Sequence, residues 1–157
     1  MERWRKQGRH RSSENSRCRI TVVNRQTTLK IAPASVRKLV NVFLVFKKIE
    51  CQFISVLFVG KRKISQIHGQ FFGDPAPTDC MTFPIDKSFL GECVICPQVA
   101  LEVNPMDPYE EVSLYLIHCL LHLIGYDDID KNKRQVMHRE QKKILKLAKE
   151  SECLLRA

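Results

Sequence analysis

The sequence predicts an α/β (α+β) domain in which a small mixed four-stranded sheet packs against helices, one of them a central metal-binding helix. Two observations lead there. Four short runs rich in β-branched, aromatic and other apolar residues alternate with longer stretches that read as helices. A chain of 157 residues, 44% hydrophobic and 27% charged, also suits one domain with a proper core.

The elements follow in order. Arg19-Ile20-Thr21-Val22-Val23-Asn24 reads as a first strand, with Thr27 and Thr28 in the turn after it. Residues 33–47 open on Pro33 and have few polar positions; their length favours helix, although Val40, Val42 and Val45 also suit a strand. Cys51 to Val59 is a strand ended by Gly60, and Lys61 to Phe71 a short helix with Ile64, Ile67 and Phe71 inward. Gly73-Asp74-Pro75-Ala76-Pro77 is a loop by its breakers. Strands are expected around Cys80–Phe83 and Glu92–Val99. Asp107 as N-cap, Pro108 as first helical residue and Glu110 as capping-box partner mark the start of a further helix. Its apolar stripe is Val112, Leu116, Cys119, Leu120 and Leu123. A last helix, from about Lys131 to Leu155, turns Met137, Ile144, Leu147 and Leu154 inward and its lysines outward.

The stripe-bearing helix carries the chemistry. His118 and His122 stand four apart, so both imidazoles lie on one face, one turn apart, at the edge of the apolar stripe. Gly125 can end the helix in a left-handed turn and return the chain. Asp128 is then placed as a third ligand, although Asp127 and Asp130 are close by and an aspartate there can also be solvated or cap the next helix. The spacing H-x3-H-x2-G-x2-D is that of the metzincin proteases, with two changes. Cys119 replaces the general-base glutamate, which argues against peptide hydrolysis, and Asp128 replaces a histidine. Three protein ligands with an open fourth position would let a zinc ion acidify its bound water and polarise a phosphoryl oxygen.

The same residues carry a family resemblance. His118, Leu121, His122, Leu123, Gly125, Tyr126 and Asp127 match the signature H-G-x-L-H-L-x-G-Y-D-H of the YbeY-type endoribonucleases, the bacterial ribosomal-RNA maturation factors. Pro77-Thr78-Asp79-Cys80-Met81-Thr82-Phe83-Pro84 resembles the family's P-T-D-V-L-S-F-P, and Leu90-Gly91-Glu92-Cys93-Val94-Ile95-Cys96 its L-G-D-I-V-I-C. Three blocks in the same order make the resemblance specific over roughly residues 18–150. It implies a zinc-dependent single-strand endoribonuclease of ribosome biogenesis that matures the small-subunit ribosomal RNA at its 3′ end. One zinc ion would sit on His118, His122 and Asp128, with Thr78, Asp79 and Thr82 lining the cleft and Asp79 a candidate catalytic residue. Ribosomal RNA is the implied partner, with ribosomal proteins or assembly GTPases as further ones. Two positions depart from the family: Asp128 stands for its last histidine, and Phe72 for an arginine thought to support phosphate chemistry. No arginine lies between Arg62 and Arg134 to replace it. The alternative reading is a non-catalytic, metal-containing ribosome-assembly factor that binds RNA.

Charge and cysteine usage fit either reading. The net charge of +9 is concentrated at the ends: residues 1–17 hold six Lys/Arg against two Glu, and residues 131–157 hold nine against three. The 113 residues between hold eleven basic and twelve acidic side chains. Basic ends suit a polyanion such as single-stranded RNA. The candidate contacts are Lys61, Arg62 and Lys63 together with Lys142, Lys143 and Lys146, although such a lysine run can also be a solvated helix face. Residues 1–17 read as a disordered basic tail, and residues 18–157 as one domain. Seven cysteines without regular spacing point to reduced thiols in a cytoplasm, with Cys93 and Cys96 as packing residues. No signal peptide or membrane span is visible.

Overall fold

The computed structural model describes residues 17–157, so the basic segment 1–17, apart from Arg17, lies outside the described residues. Four strands form the sheet: β1 (Arg19–Asn24), β2 (Phe53–Phe58), β3 (Cys80–Pro84) and β4 (Gly91–Ile95). In β2, Ile54, Val56 and Phe58 are buried on one face while Phe53, Ser55 and Leu57 are half-buried on the other, the period of two of a pleated strand. β1 and β4 flank β2 in parallel and β3 pairs antiparallel with β4, so the order is β1-β2-β4-β3. The mixed four-stranded sheet is the one the sequence predicts.

Helices cover both faces. Leu39 and Phe43 of α1 (Pro33–Lys47), Leu116 and Leu120 of α4 (Pro108–Leu123), and Met137 and Ile144 of α5 (Lys131–Glu150) share one core with Ile54, Val56 and Phe58. On the opposite face Ile64 of α2 (Lys61–Phe72) meets Val59, Met81 and Val94. All five residues expected in the stripe of α4 are buried. Asp107 caps that helix through the Glu110 N–H at 3.0 Å. The reciprocal half of a capping box does not form: the Asp107 N–H donates to Asn104 Oδ1, and Glu110 pairs instead with Lys149.

The structure corrects several expectations. β4 stops at Ile95 rather than Val99, because Pro97 has no N–H to continue the ladder and opens α3 (Pro97–Val103). Cys93 and Cys96 are buried in the two opposite cores, as packing residues. Phe71 is exposed instead of inward and meets Phe83 edge-on at 5.0 Å. The last helix ends at Glu150, with Glu152 left-handed, and the chain beyond it docks: the Leu155 N–H reaches Ser113 Oγ at 2.8 Å, and the Ala32 N–H the Arg156 carbonyl at 2.7 Å. Ala148 and Leu155 are therefore buried, while Leu147 and Leu154 are half-buried.

Not every thiol is free. The β1–β2 register sets Arg19 against Phe53, so Cys18 stands level with Gln52 and one residue off Cys51, with the two cysteine Cα atoms 5.3 Å apart. They form a disulfide, which corrects the expectation of seven reduced thiols; Cys80, Cys93, Cys96, Cys119 and Cys153 are free. No helix among the described residues is long and apolar enough to cross a membrane.

Candidate metal centre

The site forms where α4 ends. The Ile124 N–H still bonds back to Leu120, while Gly125 takes φ +101°, a conformation that L side chains resist. Tyr126 returns its N–H to the Leu121 carbonyl at 3.0 Å, so the chain folds back along its own helix. That reversal brings Asp128 to the two histidines. Its Oδ2 lies 3.9 Å from His118 Nε2 and 3.8 Å from His122 Nε2, and the two Nε2 atoms are 3.0 Å apart. Asp127 and Asp130 are occupied elsewhere, the first accepting from the Ile129 N–H and the second capping α5 through the Lys133 N–H. Backbone N–H donation, first from Ile129, together with Lys133 holds the Asp127 carboxyl below its usual range. Asp128 is the carboxylate that the turn leaves facing the histidines.

Hydrogen bonds fix the imidazoles. His122 Nδ1 is 3.0 Å from the Tyr126 carbonyl, which can only accept, so Nδ1 carries the proton. His118 Nδ1 likewise donates to Gln141 Oε1 of α5 at 2.8 Å. In the neutral rings both Nε2 lone pairs then point into one small space beside a carboxylate, an arrangement that a bound cation satisfies. Two nitrogens bound to a tetrahedral ion at ~2.0–2.1 Å stand ~3.3 Å apart, close to the spacing found. The donor set fits a metal ion, and among the described residues these three are the group able to hold one.

The histidines open on a cleft of about 300 Å³, lined also by His68, Phe72, Thr78, Cys80, Met81, Thr82 and Cys119. Thr78 and Thr82 thus face the same space as the histidines. Asp79 does not line it: its Oδ1 accepts from the Cys80 N–H at 2.7 Å and from Thr78 Oγ1 at 3.2 Å, a local cap at the start of β3. Cys119 lies beneath the site, 1% exposed, with Sγ 3.8 Å from the Met81 carbonyl. Burial and the neighbouring Cys80 and Cys93 thiols push it well above the usual thiol range, so it is no base.

Basic residues stand outside the cleft. Lys61, Arg62 and Lys63 start α2, and Lys61 is paired with Glu102 at 2.7 Å. Eleven residues of helix, ~16 Å, separate Lys61 from Phe72 at the cleft. On α5, Lys143 pairs with Glu140 and Lys146 with Glu150. Lys142 instead joins Lys131, Arg134, Gln135, His138 and Arg139 along a shallow groove of about 430 Å³. Arg134 Nε donates to the Asp128 carbonyl at 3.2 Å, so this groove adjoins the candidate metal centre.

Sequence reasoning missed the supporting residues. Gln141 lies 23 residues from His118, and Lys47 joins Tyr126 Oη at 2.7 Å and Glu140 at 2.9 Å from another helix. Neither has a spacing that signals a site. His68 and Arg134 are missed for the same reason.

Comparisons with known proteins agree with this architecture. The sequence model of the family described as Endoribonuclease YbeY matches residues 21–149. An endoribonuclease YbeY of Protochlamydia amoebophila is 39% identical over 127 residues, covering 75% of this chain and 85% of that one. The Chlamydia pneumoniae protein of the same name is 36% identical over 152 residues, 88% of this chain and 96% of that one. A Thermotoga maritima protein solved in solution superposes with a TM-score of 0.57 at 27% identity, covering 81% of this chain and 87% of that one.

Proposed function

Because the chain belongs to the endoribonuclease YbeY family, we propose that it is a zinc-dependent endoribonuclease that hydrolyses single-stranded RNA in the cytoplasm, maturing the small-subunit ribosomal RNA at its 3′ end. The observation that carries the chemistry is the pair of Nε2 atoms 3.0 Å apart, facing Asp128 Oδ2, with both Nδ1 protons committed to carbonyl-type acceptors. His118, His122 and Asp128 would hold one zinc ion. Bound there, zinc would supply Lewis acidity toward a phosphodiester.

The chain's own residues do the rest. Gln141 and the Tyr126 carbonyl hold each imidazole in the tautomer that presents Nε2. Thr78 and Thr82 offer hydroxyls along the cleft wall to orient a sugar or phosphate. Asp128 brings a negative charge where a histidine would be neutral, which weakens a bound ion as a Lewis acid and predicts slow turnover. The groove of Lys131, Arg134, Arg139 and Lys142 supplies positive charge for the backbone beside the site.

A second reading is a metal-containing assembly factor that binds RNA without cutting it. It is favoured by one observation: among the described residues no lysine or arginine lines the cleft itself, and Phe72 stands there instead. Incubating the zinc-loaded protein with end-labelled single-stranded ribosomal RNA separates the two. Cleavage lost in His118→Ala is expected. RNA retained uncut by both proteins supports the assembly factor, and cleavage indifferent to His118→Ala overturns the metal assignment.

A further inference from the structure

Phe72 is the last residue of α2, and Gly73 follows it at φ +71° to end the helix at the mouth of the cleft. It is 60% exposed and belongs to neither hydrophobic cluster among the described residues. Its neighbour Phe71 is used differently, against Phe83. The aromatic contact Phe72 does make is with His68, at 5.4 Å between ring centres and tilted by 45°. His68 is fixed by its Nδ1, which donates to the Ala76 carbonyl at 3.0 Å and leaves Nε2 as an acceptor at the rim. Both rings line the cleft that holds His118 and His122.

An aromatic face open on the wall of the cleft that holds the candidate metal centre suits a flat ligand with an apolar face and polar edges. Within the reading of the chain as an RNA hydrolase, we propose that Phe72, with His68 beside it, is a stacking subsite for an unpaired nucleobase next to the phosphate that is cut. The π-face of Phe72 accepts any base, so the subsite selects unpaired bases rather than a particular sequence. His68 Nε2 can accept from an exocyclic amine on the same base. Duplex RNA keeps its bases stacked on one another and cannot offer that face, so the subsite favours single strands.

The test uses the full zinc-loaded protein and a short single-stranded RNA carrying 2-aminopurine, whose fluorescence is quenched on stacking. Wild type should quench it, and an RNA duplex should compete poorly. Phe72→Ala should lose most of the quench and bind roughly five- to 150-fold more weakly, the range of one aromatic stack. Phe72→Trp should retain both, whereas Phe72→Leu should not. Phe72 is exposed, so these variants should melt as wild type does. Unchanged quenching and affinity in Phe72→Ala, or full function in Phe72→Leu, would overturn the subsite. RNA cleaved in a His118-dependent manner without quenching removes the subsite alone. Phe72-dependent quenching without cleavage keeps the subsite and removes the hydrolytic reading.

Discussion

His118 and His122 depend on groups that no ligand spacing points to. Gln141 holds the first ring across the α4–α5 interface and the Tyr126 carbonyl holds the second from the glycine turn. Outer partners of this kind commonly control metal affinity by ~10–100-fold. Gln141→Leu should therefore bind zinc about that much more weakly in a chelator competition titration. Gln141→Glu, which keeps an acceptor, should retain most of the affinity. Equal affinity in wild type and Gln141→Leu would show that packing alone orients His118. His122→Ala removes a ligand outright and should purify without stoichiometric zinc by elemental analysis; wild-type metal content would disprove the ligand set. The grouping of His118, His122 and Asp128 was legible from residues 118–128, since helical geometry puts the two histidines on one face and Gly125 turns the chain back toward them. The support from Gln141, and that of Lys47 behind Tyr126, was not, because these residues come from α5 and α1 and depend on packing angles that no local pattern encodes.

At the scale of elements, joints matter more than periods. Ser113 is fully buried in α4, where its hydroxyl donates to the Tyr109 carbonyl at 2.6 Å and accepts the Leu155 N–H at 2.8 Å. Ser113→Ala strands a buried N–H at the point where the C-terminal segment docks. The expected loss is about 1–3 kcal/mol, read from the denaturant midpoint at unchanged slope. A loss near zero would mean that the docked segment frays. Gly91, at φ +153°, lies so close to the Phe83 carbonyl that an added Cβ overlaps it, so Gly91→Ala should destabilise more than Ser113→Ala does. Strong periods made α2, α4 and α5 readable within a few residues, whereas α1 was readable by its length alone. α3 escaped because Cys96-Pro97-Gln98-Val99 continues an apolar strand until proline breaks the ladder. The exposure of Phe71 escaped because helical spacing marks a stripe without saying where its neighbours end.

Two charge systems act on the whole molecule. In the first, Lys47 of α1 links Glu140 of α5 to Tyr126 in the turn that carries the site, and its ammonium also lies 4.7 Å from the Tyr126 ring centre. The Lys47 side chain, first of its partners, and Lys143 lower the Glu140 carboxyl. Burial works against the Lys47 ammonium, but its bonds to Tyr126 and Glu140 outweigh it and raise its value. A lowered carboxyl contributes stability above its unfolded value and loses it as pH falls through the folded one; a raised ammonium loses its share only at high pH. Glu140→Gln should thus melt earlier than wild type near neutrality, with the gap closing in acid below the usual carboxylate range. A gap that does not vary with pH would mean that the pair contributes packing alone.

The second system is the basic charge proposed to meet RNA, and the structure separates lysines that the sequence could not. Lys143 and Lys146 are paired with Glu140 and Glu150 on their own helix, so approaching phosphates must compete with those carboxylates. Lys142 and Arg139 lie in the groove beside Arg134, whose Nε is bonded to the Asp128 carbonyl. Arg134 is a poor choice for mutation, since replacing it would disturb the ligand-bearing turn. Arg139 and Lys142 can be neutralised without touching a ligand. Each phosphate contact on a single strand contributes about 0.7 to the slope of log affinity against log salt. Arg139→Gln with Lys142→Gln should therefore reduce that slope by about 1.4, whereas Lys143→Gln with Lys146→Gln should change it far less. Equal reductions from the two pairs would place the RNA across the whole outer face of α5. A slope near zero in wild type would remove electrostatic capture from the function altogether.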